Sequence, residues 1–160
     1  MIILLMGVCG VGKTTVGLLL GEAMGARYIE GDAFHSTENR EKMESGTALS
    51  DDDRQPWLHT LGNQLASASS TEESVILGCS ALKASYRAVL KKQCPELKTV
   101  FLHTNEELLR NRLQKRLGHF MSPDMLNQQL QILEPPQDAI KIDVSIPPKA
   151  IVSALLKHCR

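Results

Sequence analysis

The segment Gly7-Val8-Cys9-Gly10-Val11-Gly12-Lys13-Thr14 has the spacing glycine, four residues, glycine, lysine, serine or threonine. Residues of these types at this spacing bind phosphate. Glycines let the loop curl until successive N–H groups face one point, and the positive end of a following helix adds to the same field. Lys13 then reaches the terminal phosphates of a nucleotide, and Thr14 offers its hydroxyl to Mg²⁺. The stretch from Gly7 to Thr15 is therefore the expected nucleotide-binding segment. Cys9 within it reads as a small buried side chain rather than a redox centre.

Other chemistry-bearing residues lie further along. Gly31-Asp32-Ala33-Phe34-His35 leaves a short strand, and a carboxylate there can accept a proton from a substrate hydroxyl or hold Mg²⁺ through water. A plain turn aspartate is the alternative reading. Arg54, beside Pro56-Trp57, has the fork geometry to grip a small carboxylate, although the charges from Asn39 to Arg54 also suit a solvated helical face. Asp51-Asp52-Asp53 after Ser50 suits a helix N-terminus. Ser80 reads either as an N-cap or as part of a turn that brings its hydroxyl and Lys83 to a crevice. Arg112 and Arg116 are four apart and share a helix face. They either complement the helix C-terminus or belong to a glycine-hinged lid that swings arginines over phosphates.

The elements that must position these residues alternate. Ile2–Met6, Arg27–Glu30, Val75–Cys79, Thr99–Leu102 and Ile140–Val144 read as strands. Between them run helical patterns: Val16, Leu19, Leu20 and Ala23; Leu58, Leu61 and Leu65; Leu82, Tyr86, Val89 and Leu90; Leu109, Leu113 and Leu117; Leu126, Leu130 and Leu133; Ile151, Val152, Leu155 and Leu156. Ser67–Ser74 reads as a surface loop, and the polar stretch 31–53 carries little core material. Thr104-Asn105-Glu106-Glu107 forms a capping box, and Ser122-Pro123 opens another helix. Strands separated by helices require a parallel sheet. The expectation is one three-layer α/β/α domain over residues 1–160 with five parallel strands, binding ligands at the strands' carboxyl ends.

Composition narrows the function. Eighteen basic and 18 acidic side chains cancel, and only 4% of residues are aromatic. Neither a nucleic-acid surface nor base-stacking platforms are indicated. The four cysteines form no Cys-x-x-Cys pair, so neither a zinc site nor a disulfide framework follows. The first residues run straight into the phosphate loop with no room for a signal peptide, and no apolar stretch nears the ~20 residues that span a bilayer. A cytoplasmic chain without membrane partners is expected.

Taken together, these residues resemble the small, bacterial-type gluconate kinase family. The carriers are the phosphate loop, Gly31-Asp32-Ala33-Phe34-His35, Glu41-Lys42-Met43, Asp51–Leu58, Cys79-Ser80-Ala81-Leu82-Lys83, Tyr86-Arg87, Gly118-His119-Phe120-Met121 and Leu133-Glu134-Pro135-Pro136. The resemblance covers nearly the whole chain. It implies phosphorylation of D-gluconate by ATP with Mg²⁺, a fold similar to shikimate and nucleoside monophosphate kinases, a lid over approximately residues 117–135 and a homodimer. It further implies catalytic roles for Lys13, Asp32 and Arg116, a nucleotide contact from Arg112, and substrate contacts from Asp32, His35, Lys42, Arg54, Ser80, Lys83, Arg87 and His119. Two positions depart from the family's pattern. Glu30-Gly31-Asp32 stands where Asp-x-Asp is usual, which makes Glu30, with Thr14, the expected partner of Mg²⁺. Cys9 replaces a serine, which removes a hydroxyl but no backbone donor.

Three competing functions are weighed against this one. A kinase of another small polyol acid, such as shikimate, would share Lys13, Thr14, Asp32 and the lid arginines. A GTP-dependent switch would need an Asn-Lys-x-Asp motif, which the chain lacks. A nucleotide-binding protein without catalysis fits poorly with intact Lys13, Thr14 and Asp32.

Overall fold

The computed structural model describes residues 1–116 and 123–159. Five strands, β1 (Ile2–Met6), β2 (Arg27–Glu30), β3 (Val75–Gly78), β4 (Lys98–His103) and β5 (Ile140–Asp143), form one sheet. Their order is β2-β3-β1-β4-β5, and every pairing is parallel. The helices are α1 (Lys13–Met24), α2 (Thr37–Glu44), α3 (Asp51–Ser70), α4 (Ala84–Gln93), α5 (Glu106–Gln114), α6 (Pro123–Ile132) and α7 (Pro148–Cys159). A 3₁₀ turn, Gly31–Phe34, follows β2.

β1 is the centre, and its period of two sorts the core. Ile2, Leu4 and Met6 face one side, with Trp57, Leu58, Leu61 and Leu65 of α3 and Tyr86 and Leu90 of α4. Ile3 and Leu5 face the other, with Val16 and Leu20 of α1, Leu109 of α5 and Ile151 and Leu155 of α7. A strand buried on both faces must be apolar throughout, as Ile-Ile-Leu-Leu-Met is. The three-layer α/β/α arrangement read from the sequence is the one found. Among the described residues no helix is long and apolar enough to cross a membrane.

Several local expectations need correction. The serine-rich stretch 67–74 is not all loop. α3 runs to Ser70 because Ala68 continues the buried Leu61 and Leu65 face, and that burial outweighs the weak helix propensity of serine. The stretch 31–53 does carry little core material, as expected: Met43 and Leu49 are its buried apolar side chains, with Asn39 and His35 buried near them. Ser80 caps no helix. α4 starts at Ala84 with Lys83 in the N-cap position, and the chain from Cys79 to Lys83 is an irregular turn with Ala81 at φ 44°. That turn is held by burial of Ala81 and Leu82 in opposite cores. The α5 cap is Asn105 rather than Thr104, its side chain accepting from Leu108 N at 2.8 Å. The acidic start of α3 is as expected, with a reciprocal box between Ser50 and Asp53.

Tyr28 of β2 lies flat across two glycines. A Cβ on Gly17 of α1 or on Gly78 of β3 would overlap the Tyr28 ring or hydroxyl. Gly17→Ala should therefore destabilise the fold by about 1–3 kcal/mol, the cost of overpacking a closed site. Urea denaturation measures it. The loss should shrink in a Tyr28→Ala background, where the ring is gone, and an equal loss in both backgrounds would show that Tyr28 is not the obstacle.

Candidate active site

The phosphate loop leaves β1 at Met6 and is pressed against the sheet. Gly7 sits at φ 150°, and a Cβ there would lie 2.5 Å from the Leu102 carbonyl oxygen of β4. Its N–H donates to the Ser80 carbonyl at 3.3 Å, tying the loop to the turn after β3. Gly12, at φ 91°, makes the last bend and occupies the α1 N-cap with no side chain in the way. The first N–H groups of α1 thus face the mouth of the loop. Lys13 Nζ arches back over the loop, donating to the Gly7 carbonyl at 2.9 Å and the Val8 carbonyl at 3.2 Å.

Thr14 Oγ1 donates to Glu30 Oε2 at 2.7 Å, so the structure joins the two residues expected at Mg²⁺. Tyr28 donates to the same oxygen at 3.0 Å. Tyr28 had no assigned role in the sequence, since an aromatic in a short strand reads as core. Here it braces Glu30 from below, and burial pushes its own pKa well up, which keeps it a donor. A hydroxyl and a carboxylate are the hard oxygen ligands that suit Mg²⁺, which takes its remaining ligands from water and phosphate.

Three adjoining cavities open along the carboxyl ends of the strands. One of about 310 Å³ is walled by the loop, Lys13, Thr14, Glu30, Asp32, Ser80, Arg116 and Gln129. One of about 350 Å³ lies on the far side of the loop, between Thr15, Arg112, Arg116, Ile146 and Pro148. Arg112 is fixed there by donating to the Val144 carbonyl at 2.6 Å, and Ile146 stays 42% exposed. The third, about 420 Å³, is lined by Asp32, His35, Arg54, Trp57, Ser80 and Lys83, with Gln128 and Gln129 of α6 opposite.

The third cavity has a stacked aromatic floor. His35 lies on Trp57 with ring centroids 4.0 Å apart, and Trp57 Nε1 donates to the Gly31 carbonyl at 2.8 Å. Asn39 Nδ2 donates to the Asp53 carbonyl at 2.9 Å and faces His35 Nδ1 at 3.3 Å. Nδ1 is thus the acceptor and Nε2 carries the proton, 3.9 Å from Asp32 Oδ1. Burial, with Arg54 and Arg40 nearby, lowers the His35 pKa to about 4, so the ring is a neutral donor.

The opposite wall is a polar network. Arg54 donates through one nitrogen to the Leu49 carbonyl at 2.6 Å and to Tyr86 at 3.1 Å. Tyr86 donates to Asp51 Oδ1 at 2.5 Å, and Lys83 pairs with Asp51 at 3.0 Å. Tyr86 and then Lys83 hold the Asp51 carboxyl below its ordinary pKa. The sequence pattern read Asp51 as a helix-start residue and Tyr86 as core, and the structure makes them the brace of Arg54 and Lys83.

Two expected substrate ligands are placed elsewhere. Lys42 is spent on Asp53, at 2.9 and 3.0 Å, and holds that carboxyl at about 2. Arg87 donates to the carbonyls of Ala81, Leu82 and Glu134, a structural clamp between the β3–α4 turn and the end of α6. Neither lines the third cavity. His119 and the glycine-hinged stretch from Gly118 to Met121 lie outside the described residues; of the segment expected as a lid, residues 123–135 are described and include α6.

Comparison with known proteins decides the family. The profile of a family described as an AAA domain matches residues 3–130. The gluconokinase of Arabidopsis thaliana is 37% identical, over 98% of this chain and 90% of its own length. The chain belongs to the gluconokinase family. The crystal structure of a gluconokinase from Sinorhizobium meliloti is 42% identical and superposes with a TM-score of 0.86 over 99% of this chain and 94% of its own. That of a sugar kinase from Janibacter, 37% identical, gives 0.91 over 97% and 91%. This gluconokinase fold thus carries the phosphate loop and the neighbouring polar cavity as one continuous edge.

The stacked histidine makes stability depend on pH. The folded ring resists protonation until about pH 4, whereas the unfolded one titrates near 6.5. Between those values the unfolded chain binds more protons, so this contribution is complete above pH 6.5 and is lost as pH falls toward 4. The melting midpoint should drop between pH 7 and 4.5, and His35→Gln should show a shallower drop. Parallel profiles would show that His35 is not the group responsible.

Proposed function

We propose that the chain transfers the terminal phosphoryl group of ATP to the primary hydroxyl of D-gluconate, giving 6-phospho-D-gluconate and ADP. The observation that carries this reading is the junction of two cavities at Asp32. One is walled by the phosphate loop and Lys13, the other by arginine, lysine, histidine and amide side chains. A phosphate donor suits the first and a small polyol carboxylate the second. The names of the relatives support the same substrate.

Roles follow from position. The loop N–H groups and Lys13 hold the β- and γ-phosphates, and the adenine lies between Arg112 and the exposed Ile146. Lys83 and the unengaged edge of Arg54 face the gluconate carboxylate. His35, Ser80 and the α6 amides meet the hydroxyls. Thr14, with Glu30, would hold the Mg²⁺ that arrives with ATP, and that ion neutralises charge on the phosphate oxygens when bound. Asp32 orients the attacking hydroxyl. A bond forms between that oxygen and the γ-phosphorus, the bond from phosphorus to the bridging β–γ oxygen breaks, and the hydroxyl proton leaves by way of Asp32. The transition state is loose, so full deprotonation beforehand is not required and orientation matters as much as basicity. Lys13 and Arg116, which share the loop cavity, stabilise charge on the moving group. A homodimer, implied by the resemblance, and a cytoplasmic setting, suggested by the cysteine usage, complete the reading.

A coupled ADP-release assay with gluconate, shikimate and glucose tests the substrate. Turnover with gluconate is expected, and turnover with shikimate but not gluconate would overturn the assignment. Lys13→Ala and Arg116→Ala should each lower turnover by at least ~10²-fold, the scale of losing one such donor. Asp32→Asn should lower turnover strongly while nucleotide binding, measured by calorimetry, survives. Wild-type turnover in that variant would pass the role to Glu30.

A further inference from the structure

Three residues belong to both the loop cavity and the acceptor cavity: Asp32, Ser80 and Gln129. They bound the opening through which a phosphoryl group must pass. Asp32 and Ser80 leave the ends of β2 and β3, where a parallel sheet places its ligands. Gln129 comes from α6 on the opposite side, between the apolar Leu126 and Leu130, and nothing in the helical pattern marks it out.

Its side chain is already oriented. Cys9 N donates to Gln129 Oε1 at 2.8 Å, a link from α6 to the phosphate loop across 120 residues of sequence. A backbone N–H can only be met by the oxygen of a carboxamide, which fixes the amide's orientation. The Nε2 end, with two donors, forms no hydrogen bond among the described residues, and the residue lines the opening. A neutral donor held by a rigid loop, beside a site where phosphate charge must cross, is preorganised for that charge.

We propose that Gln129 is a further catalytic residue, its Nε2 donating to an oxygen of the phosphoryl group in transfer while its Oε1 stays anchored on the Cys9 N–H. The proposal rests on the kinase reading given above. It separates from a purely structural role because the two ends of the amide do different things. Gln129→Glu keeps an acceptor for Cys9 and nearly the same volume, yet turns the donor into an anion facing phosphate. Gln129→Ala removes both ends.

The experiment is steady-state kinetics with ATP, Mg²⁺ and gluconate on wild type, Gln129→Ala and Gln129→Glu, each checked by its melting midpoint. Gln129→Ala should lower kcat by about 10-fold or more, and Gln129→Glu by more still, ~10²-fold, with KM for ATP changed by no more than about threefold. Gln129→Met, which fills the space without polar atoms, replaces the alanine variant if that one melts early, and carries the same expectation. Near-wild-type kcat in Gln129→Glu, with loss only in Gln129→Ala or Gln129→Met, would reduce Gln129 to an anchor of the loop and overturn the proposal. Wild-type kcat in all variants would overturn it as well. Wild type that turns over no gluconate would instead bring down the substrate reading, and the proposal with it.

Discussion

Everything in this molecule depends on how close the phosphate loop lies to the sheet. At Gly7 the chain passes so near the Leu102 carbonyl that a side chain would sit 2.5 Å from it. The loop begins its curl there, directly off β1, and Gly12 completes it at φ 91°. The hydrogen bond from Gly7 N to the Ser80 carbonyl then couples the loop to the neighbouring strand end. The loop, the α1 N-terminus and the turn after β3 that walls the neighbouring cavity are thus joined rather than three separate parts.

Around that loop the charged side chains are held by neighbours before any ligand arrives. Glu30 takes two hydroxyl donors, from Thr14 and Tyr28. Asp51 takes Tyr86 and Lys83, and Tyr86 also meets Arg54. His35 is kept neutral by burial on Trp57 and oriented by Asn39. Such bracing limits the reorganisation left to the moment of reaction, which is the main source of electrostatic catalysis in a dry site.

The fold was readable because it rests on periodicities that only one architecture satisfies. Ile2–Met6 apolar on both faces, with Leu58, Leu61 and Leu65 at helical spacing, demands a strand under helices. That the phosphate loop, Asp32 and Ser80 lie together at the carboxyl edge of the sheet was also legible, because each directly follows an apolar strand run. What escaped were roles created by tertiary contact. Tyr86 sits on the apolar face of α4, and only the approach of Asp51 makes its hydroxyl a brace. Gln129 is an ordinary polar residue until α6 meets the loop. Lys42 and Arg87 are the reverse case: cations in promising segments whose partners here, Asp53 and three carbonyls, no sequence pattern announces. Ser80 as a cap failed because burial of Ala81 and Leu82 delays α4 to Ala84.

The central claim is that the two cavities meeting at Asp32 bring a primary hydroxyl of gluconate to the γ-phosphate. Phosphorus NMR of a reaction containing the protein, ATP, Mg²⁺ and D-gluconate reads this directly. A new phosphomonoester signal split by the two protons of one methylene group, growing as the γ-phosphate signal disappears, is the predicted result. A doublet from a secondary carbon, or inorganic phosphate as the sole product, would contradict the account.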